Sequence, residues 1–141
     1  MKKLLVIVLT VLLALSLAAC GTKQVPTADA EGLIRVNDGD TLGDGKTTLT
    51  VTITGEDEKA VTVTVKTDET TVGEALENIG LIRGEEGPYG IYIHTVNQER
   101  HVYEEDGMYW AFYINGEYAA TGADMTGIDS GVQYTFAAEK G

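Results

Sequence analysis

One cysteine in the whole chain, Cys20, leaves no partner for an intramolecular disulfide. It also excludes a multi-thiolate metal site. Basic residues are scarce as well: ten Lys and Arg stand against 22 Asp and Glu, for a formal charge of −12. Nucleic-acid binders show clustered Lys and Arg, so no nucleic-acid partner is expected. The same acidity serves solubility and keeps a folded domain away from anionic lipid. Serine is limited to Ser16 and Ser130, and neither sits in a Gly-x-Ser-x-Gly elbow. No motif sets two carboxylates across a cleft, and no catalytic residue is expected. The only histidines, His94 and His101, lack the spacing of a metal-binding pair and read as ordinary surface residues. Neither a metal nor a resident cofactor is expected. Aromatic residues are missing from the first 88 positions, and all ten lie between Tyr89 and Phe136. The front half must pack with aliphatic side chains, and the back half holds the large semi-polar groups that dominate recognition surfaces.

What is present begins with a leader. Lys2 and Lys3 precede an apolar run over 4–15, and Leu17-Ala18-Ala19 leads into Cys20. A basic start, an apolar stretch too short to span a bilayer, and small residues before a cysteine read as a bacterial lipoprotein signal. Residues 1–19 are then a signal peptide, and Cys20 carries the acyl chains. Losing Lys2 and Lys3 with the leader takes the formal charge from −12 to −14. The expected location is the extracytoplasmic face of the cell membrane, lipid-anchored.

Residues 20–45 show no sustained period and contain the run Asn37-Asp38-Gly39-Asp40-Thr41-Leu42-Gly43-Asp44-Gly45, which misses the EF-hand pattern. They read as a lipidated flexible linker. Residues 46–141 read as the folded domain. Leu49, Val51 and Ile53 alternate with threonines, and Val61, Val63 and Val65 do the same after a polar turn, which predicts a hairpin. Val72, Ala75, Leu76 and Ile79 make one helical stripe, with Thr71-x-x-Glu74 as a capping box and Gly80 as the stop. The segment 84–88 reads as a loop, 89–96 and 109–114 as strands, and Asn115-Gly116 as a hairpin turn. Val132, Tyr134 and Phe136 mark a last strand. Two strands, one short helix and further strands predict an α+β fold of the β-grasp kind: a small mixed sheet packed on one short helix and preceded by a flexible tether.

Three stretches carry a family resemblance. They are Gly87-Pro-Tyr-Gly-Ile-Tyr-Ile-His-Thr-Val-Asn97, Gly107-Met-Tyr-Trp-Ala-Phe-Tyr-Ile-Asn-Gly-Glu-Tyr-Ala-Ala-Thr-Gly122, and Asp129-Ser-Gly131. With the upstream Thr-Val-x-Glu-Ala-Leu of residues 71–76, the chain resembles the transcobalamin-like C-terminal domain family (DUF4430-type) from about residue 47 to residue 140. In cobalamin carriers the related domain closes over a corrinoid held mainly by a helical barrel. This chain is too short to contain such a barrel, and Ser130-Gly131-Val132 departs from the commoner Asp-Gly-Asp turn.

The resemblance implies a non-catalytic domain that binds a small molecule, with corrinoid the first ligand to consider, or delivers one to a transporter. Candidate ligand-facing residues are Tyr92, His94, Tyr109, Trp110, Tyr113 and Asn115. Trp110, Phe112 and Ile114 share one face of their strand, while Tyr109, Ala111 and Tyr113 share the other. One face would cover the core and the other would offer tyrosines to a flat ligand. A strand buried on both sides is the competing reading. The functional alternative is a cell-surface structural or protein-interaction module with no small ligand.

Overall fold

The computed structural model describes residues 26–141. Cys20 and the signal segment 1–19 lie outside the described residues, and no helix among those described is long and apolar enough to cross a membrane. The chain folds as β1 (Thr41–Gly43), β2 (Thr47–Thr54), β3 (Ala60–Thr67), α1 (Val72–Asn78), β4 (Ile82–Gly87), β5 (Gly90–Val96), β6 (Glu99–Arg100), α2 (Tyr103–Asp106), β7 (Met108–Ile114), β8 (Glu117–Tyr118), a 3-10 turn (Ala123–Met125) and β9 (Gln133–Lys140).

The alternating Val, Ile and Leu of β2 and β3 pair in antiparallel register, Val51 opposite Val63 and Leu49 opposite Val65, as the sequence predicts. β9 then adds beside β2 in parallel, and β7 beside β9 antiparallel, with Phe112 opposite Phe136. The resulting six-stranded sheet runs β1-β3-β2-β9-β7-β8. Its inner face carries Leu49, Val51, Ile53, Val63, Val65, Trp110, Phe112, Tyr134 and Phe136, all buried. Phe112 stacks on Phe136 at 4.9 Å between ring centroids.

The expected β-grasp arrangement is overturned. Described residues are 47% strand and 12% helical, in two separate sheets. The second sheet, β4-β5-β6, arises because the segment read as a loop is a strand: β4 pairs with β5 from Ile82–Val96 to Gly87–Gly90, with one irregularity after Arg83. Glycines and glutamates disguise β4 because its outer end is solvent-exposed, and only Ile82 at its start is buried. The small sheet contributes Ile82, Ile93 and Val96 to the same core as the large sheet's inner face, giving a sandwich of two sheets.

Helix α1 is a seven-residue connection whose nearest backbone neighbours are β4 and the 3-10 turn. A helix of that length forms only because Val72, Ala75 and Leu76 are buried. Its capping box is half made. Thr71 Oγ1 accepts from the Glu74 amide at 3.2 Å, but the Glu74 carboxylate takes the Thr70 hydroxyl instead of reaching back to Thr71. Gly80 ends it in the left-handed region, at φ 76°.

The flexible-linker reading of 20–45 also needs correction where the structure describes it. Ile34, Val36 and Leu42 are buried in the core, and β1 pairs in parallel with β3. The Asp/Gly run is a docked turn rather than a spacer. Asp40 accepts from the Asn37 amide at 2.7 Å, and Asp38 accepts from the Thr62 amide at 2.8 Å. Short acidic side chains satisfying backbone donors look the same in sequence as a solvated tether. The buried hydrophobic core of the described residues lies between Ile34 and Phe136, so a soluble form spanning 21–141 retains all of it.

Candidate functional site

The Asn115-Gly116 turn takes positive φ at both positions, 49° and 80°, and folds β8 back on β7. The Ala119 amide then donates to the Phe112 carbonyl at 2.9 Å, keeping the chain alongside β7. The next residues, Ala119-Ala120-Thr121-Gly122-Ala123, include nothing larger than threonine. Their small side chains leave a gap between this segment, β7 and β5.

The gap is an open cleft of about 280 Å³. Its aromatic walls are Tyr89, Tyr92, Tyr109, Trp110, Phe112 and Tyr118. Tyr89 is 90% exposed, Tyr118 65% and Tyr92 42%, so these three rings form the rim while Trp110 and Phe112 are buried behind it. Asp124 fixes the opening. Its carboxylate accepts from the Ile91 amide at 2.9 Å and ties β5 to the 3-10 turn. The Trp110 indole N–H is buried without a hydrogen-bond partner among the described residues, and its ring packs against His101 at 5.6 Å.

Of the six residues expected to face a ligand, the cleft gathers Tyr92, Tyr109 and Trp110. His94, Tyr113 and Asn115 do not line it. His94 Nδ1 lies 2.8 Å from Thr95 Oγ1, and burial followed by the Arg100 charge lowers its pKa, so the imidazole is neutral at pH 7. Asn115 accepts from the Gln133 amide at 2.9 Å and serves the turn.

Tyr113 donates to Glu139 of β9, as does Tyr109 at 3.2 Å. The hydrogen bond to Glu139, then burial and the carboxylate charge, push the Tyr113 hydroxyl up to about 12. A raised folded value means that the stabilisation is complete below the unfolded value of about 10 and is lost as pH rises through 12. Spectrophotometric titration should therefore show a late tyrosine with a midpoint near 12. Glu139→Ala should bring that midpoint down toward 10, and an unchanged midpoint would refute the pairing.

Sequence reasoning missed Tyr89, Phe112 and Tyr118 as cleft residues. The signal that could have found them is the small-residue run 119–123, which directly follows Tyr118 and can only leave space beside the aromatic strand. It also mistook His101, read as a surface residue, which is 4% exposed.

The family model described as "Domain of unknown function (DUF4430)" matches residues 69–140, which span α1 through β9 and so include every wall of the cleft. The chain belongs to the DUF4430 family. A candidate metal-binding protein from Ruminococcus gnavus ATCC 29149 is 30% identical, with a TM-score of 0.63 over 68% of this chain and 99% of that one. Haptocorrin, solved in complex with Cbi, shares the fold at 18% identity and a TM-score of 0.50. That likeness covers 70% of this chain but only 26% of haptocorrin. Among curated proteins, none matches the chain. The expected DUF4430 membership therefore holds as a family, and the expected likeness to a cobalamin carrier holds at the level of the fold.

Proposed function

We propose that this DUF4430 protein is a non-catalytic binding module, lipid-anchored through Cys20 on the extracytoplasmic face of the membrane, whose aromatic cleft takes one face of a flat small molecule. The observation that carries the reading is the cleft of about 280 Å³ with three exposed tyrosines at its rim. Amphipathic rings of this kind offer flat apolar contact while their hydroxyls remain in water. The haptocorrin likeness makes a corrinoid the first ligand to test.

Sites that engulf a ligand and cover most of its surface have volumes of roughly 300–1,000 Å³. This cleft falls just below that range and is open, so a corrinoid would be covered on one face only. The other face would stay available to a transporter or a second surface protein, which suits delivery better than storage.

Titrating the soluble form with cobinamide or cobalamin, followed by visible absorbance and by fluorescence of Trp110, the only tryptophan, tests this. A saturable change is expected with the native sequence. Ala120→Phe should abolish it, because Ala120 is exposed at the cleft and the larger ring fills the gap without entering the core. No change with the native sequence, or an equal change in Ala120→Phe, would contradict the corrinoid reading. If corrinoid fails while membrane pull-downs capture a specific surface protein dependent on Tyr118, the cleft is a protein-interaction surface instead.

A further inference from the structure

Between the β2–β3 turn of the large sheet and β6 of the small one, one cluster lies outside the cleft lining. Glu99 and His101 are two residues apart in an extended segment, so their side chains project to the same side. Glu56 comes from the β2–β3 turn, and its amide donates to Glu99 Oε1 at 2.7 Å. Gly55 permits that approach, since a Cβ there would stand 2.3 Å from Glu99 Oε2. One ligand atom from each of Glu56, Glu99 and His101 lies within 4.8 Å of the others.

The feature that separates this cluster from an ordinary acidic patch is His101, which is buried and held at both nitrogens. Asp106 Oδ2 lies 2.8 Å from Nδ1, and Glu99 Oε1 lies 2.7 Å from Nε2. Asp106 also accepts from the Met108 amide at 2.9 Å through its other oxygen, which fixes its carboxylate. With Nδ1–H given to Asp106, the neutral ring turns the lone pair of Nε2 toward the Glu99 carboxylate. Two acceptors then face each other, and a cation relieves the contact: a proton at the 2.7 Å separation seen, or a metal ion once the Glu99 carboxylate draws back. A proton on Nε2 is one such cation. Burial opposes it, while the two carboxylates favour it and hold the His101 pKa above its ordinary value.

We propose that Glu56, Glu99 and His101 form a binding site for a divalent cation of the zinc class, with Asp106 orienting His101 from behind. One imidazole nitrogen and two carboxylates are a zinc-type donor set that leaves a fourth position for solvent, and too few oxygens for calcium. A ligating histidine whose other N–H is given to a carboxylate is the usual support of such a site. Binding releases the Nε2 proton, so the metal competes with acid. The exposed Glu56 side chain closes on the ion by rotamer change and pins the β2–β3 turn of the large sheet to β6 of the small one.

The test is Zn²⁺ titration of the soluble form at pH 7.5 by calorimetry, with Co²⁺ visible spectra as a second readout. Starting after Cys20 removes the only thiol. One ion per chain is expected, persisting in excess Mg²⁺. His101→Gln should abolish binding. Glu56→Gln, at an exposed position where the fold does not depend on the carboxylate, should weaken it at least about tenfold, the scale on which even outer-shell changes act. Asp106→Asn should weaken it by about 10–100-fold. Absence of binding, or binding unchanged in Glu56→Gln or displaced by Mg²⁺, would overturn the site and leave a protonated histidine clasp. Either result leaves the cleft reading standing, because corrinoid absorbance assays it without relying on Trp110, whose ring touches His101.

Discussion

Phe136→Ala should destabilise the domain by about 3–5 kcal/mol, the cost of emptying a fully buried aromatic site. Phe136 has no exposed surface, stacks on Phe112, and lies opposite both Ile53 of β2 and Phe112 of β7. It therefore joins the first hairpin to the aromatic strand through β9, the strand that makes one sheet of the two halves. Against a typical total of roughly 5–15 kcal/mol, the loss leaves little margin. Thermal unfolding should fall by roughly 10–25 °C. Met125→Ala, at a residue 64% exposed, should change stability by under about 0.5 kcal/mol. Comparable losses from both substitutions would mean that β9 is not the centre of the core.

Cys20→Ser should move the protein from the membrane fraction to the soluble fraction and remove palmitate labelling. Each buried methylene contributes about 0.8 kcal/mol, so the several acyl chains proposed for Cys20 would make an almost permanent anchor, and their removal would release it. No described helix is long and apolar enough to span a bilayer, and the acidic charge is repelled by anionic lipid. Retention of the variant at the membrane would show that something other than Cys20 anchors it.

The sequence was most legible where side-chain period and burial agree. The β2–β3 hairpin, the start and stop of α1, the Asn115-Gly116 turn and the aromatic strand all follow from alternation, capping and turn chemistry. Failures came where polar residues perform structural work. Asp38 and Asp40 bind backbone amides, so a packed segment read as a tether. Gly84, Glu85 and Glu86 pair as a strand with one exposed end, so the second sheet was invisible and a single sheet on a helix was expected instead.

The site divided in the same way. Parity along β7 separates Trp110 and Phe112 from Tyr109 and Tyr113, but it cannot say which face meets a cavity. That choice depends on the second sheet, which covers the Trp110 face, and on Glu139, which engages both tyrosines of the other while Tyr109 still reaches the edge of the cleft. Tyr113, expected to face a ligand, consequently pairs with Glu139 and does not line the cleft. His101 was misjudged because its partners Glu99 and Asp106 converge only after β6 and α2 form.

The cleft is the centre of the account, and amide shift mapping tests it most directly. On adding cobinamide to the isotopically labelled soluble form, residues 89–93 and 118–123 and the indole N–H of Trp110 should shift together and saturate. The amides of β1 and β3 at the far edge should stay still. Shifts spread over the acidic surface, or confined to the Glu139 face with residues 118–123 unmoved, would contradict it.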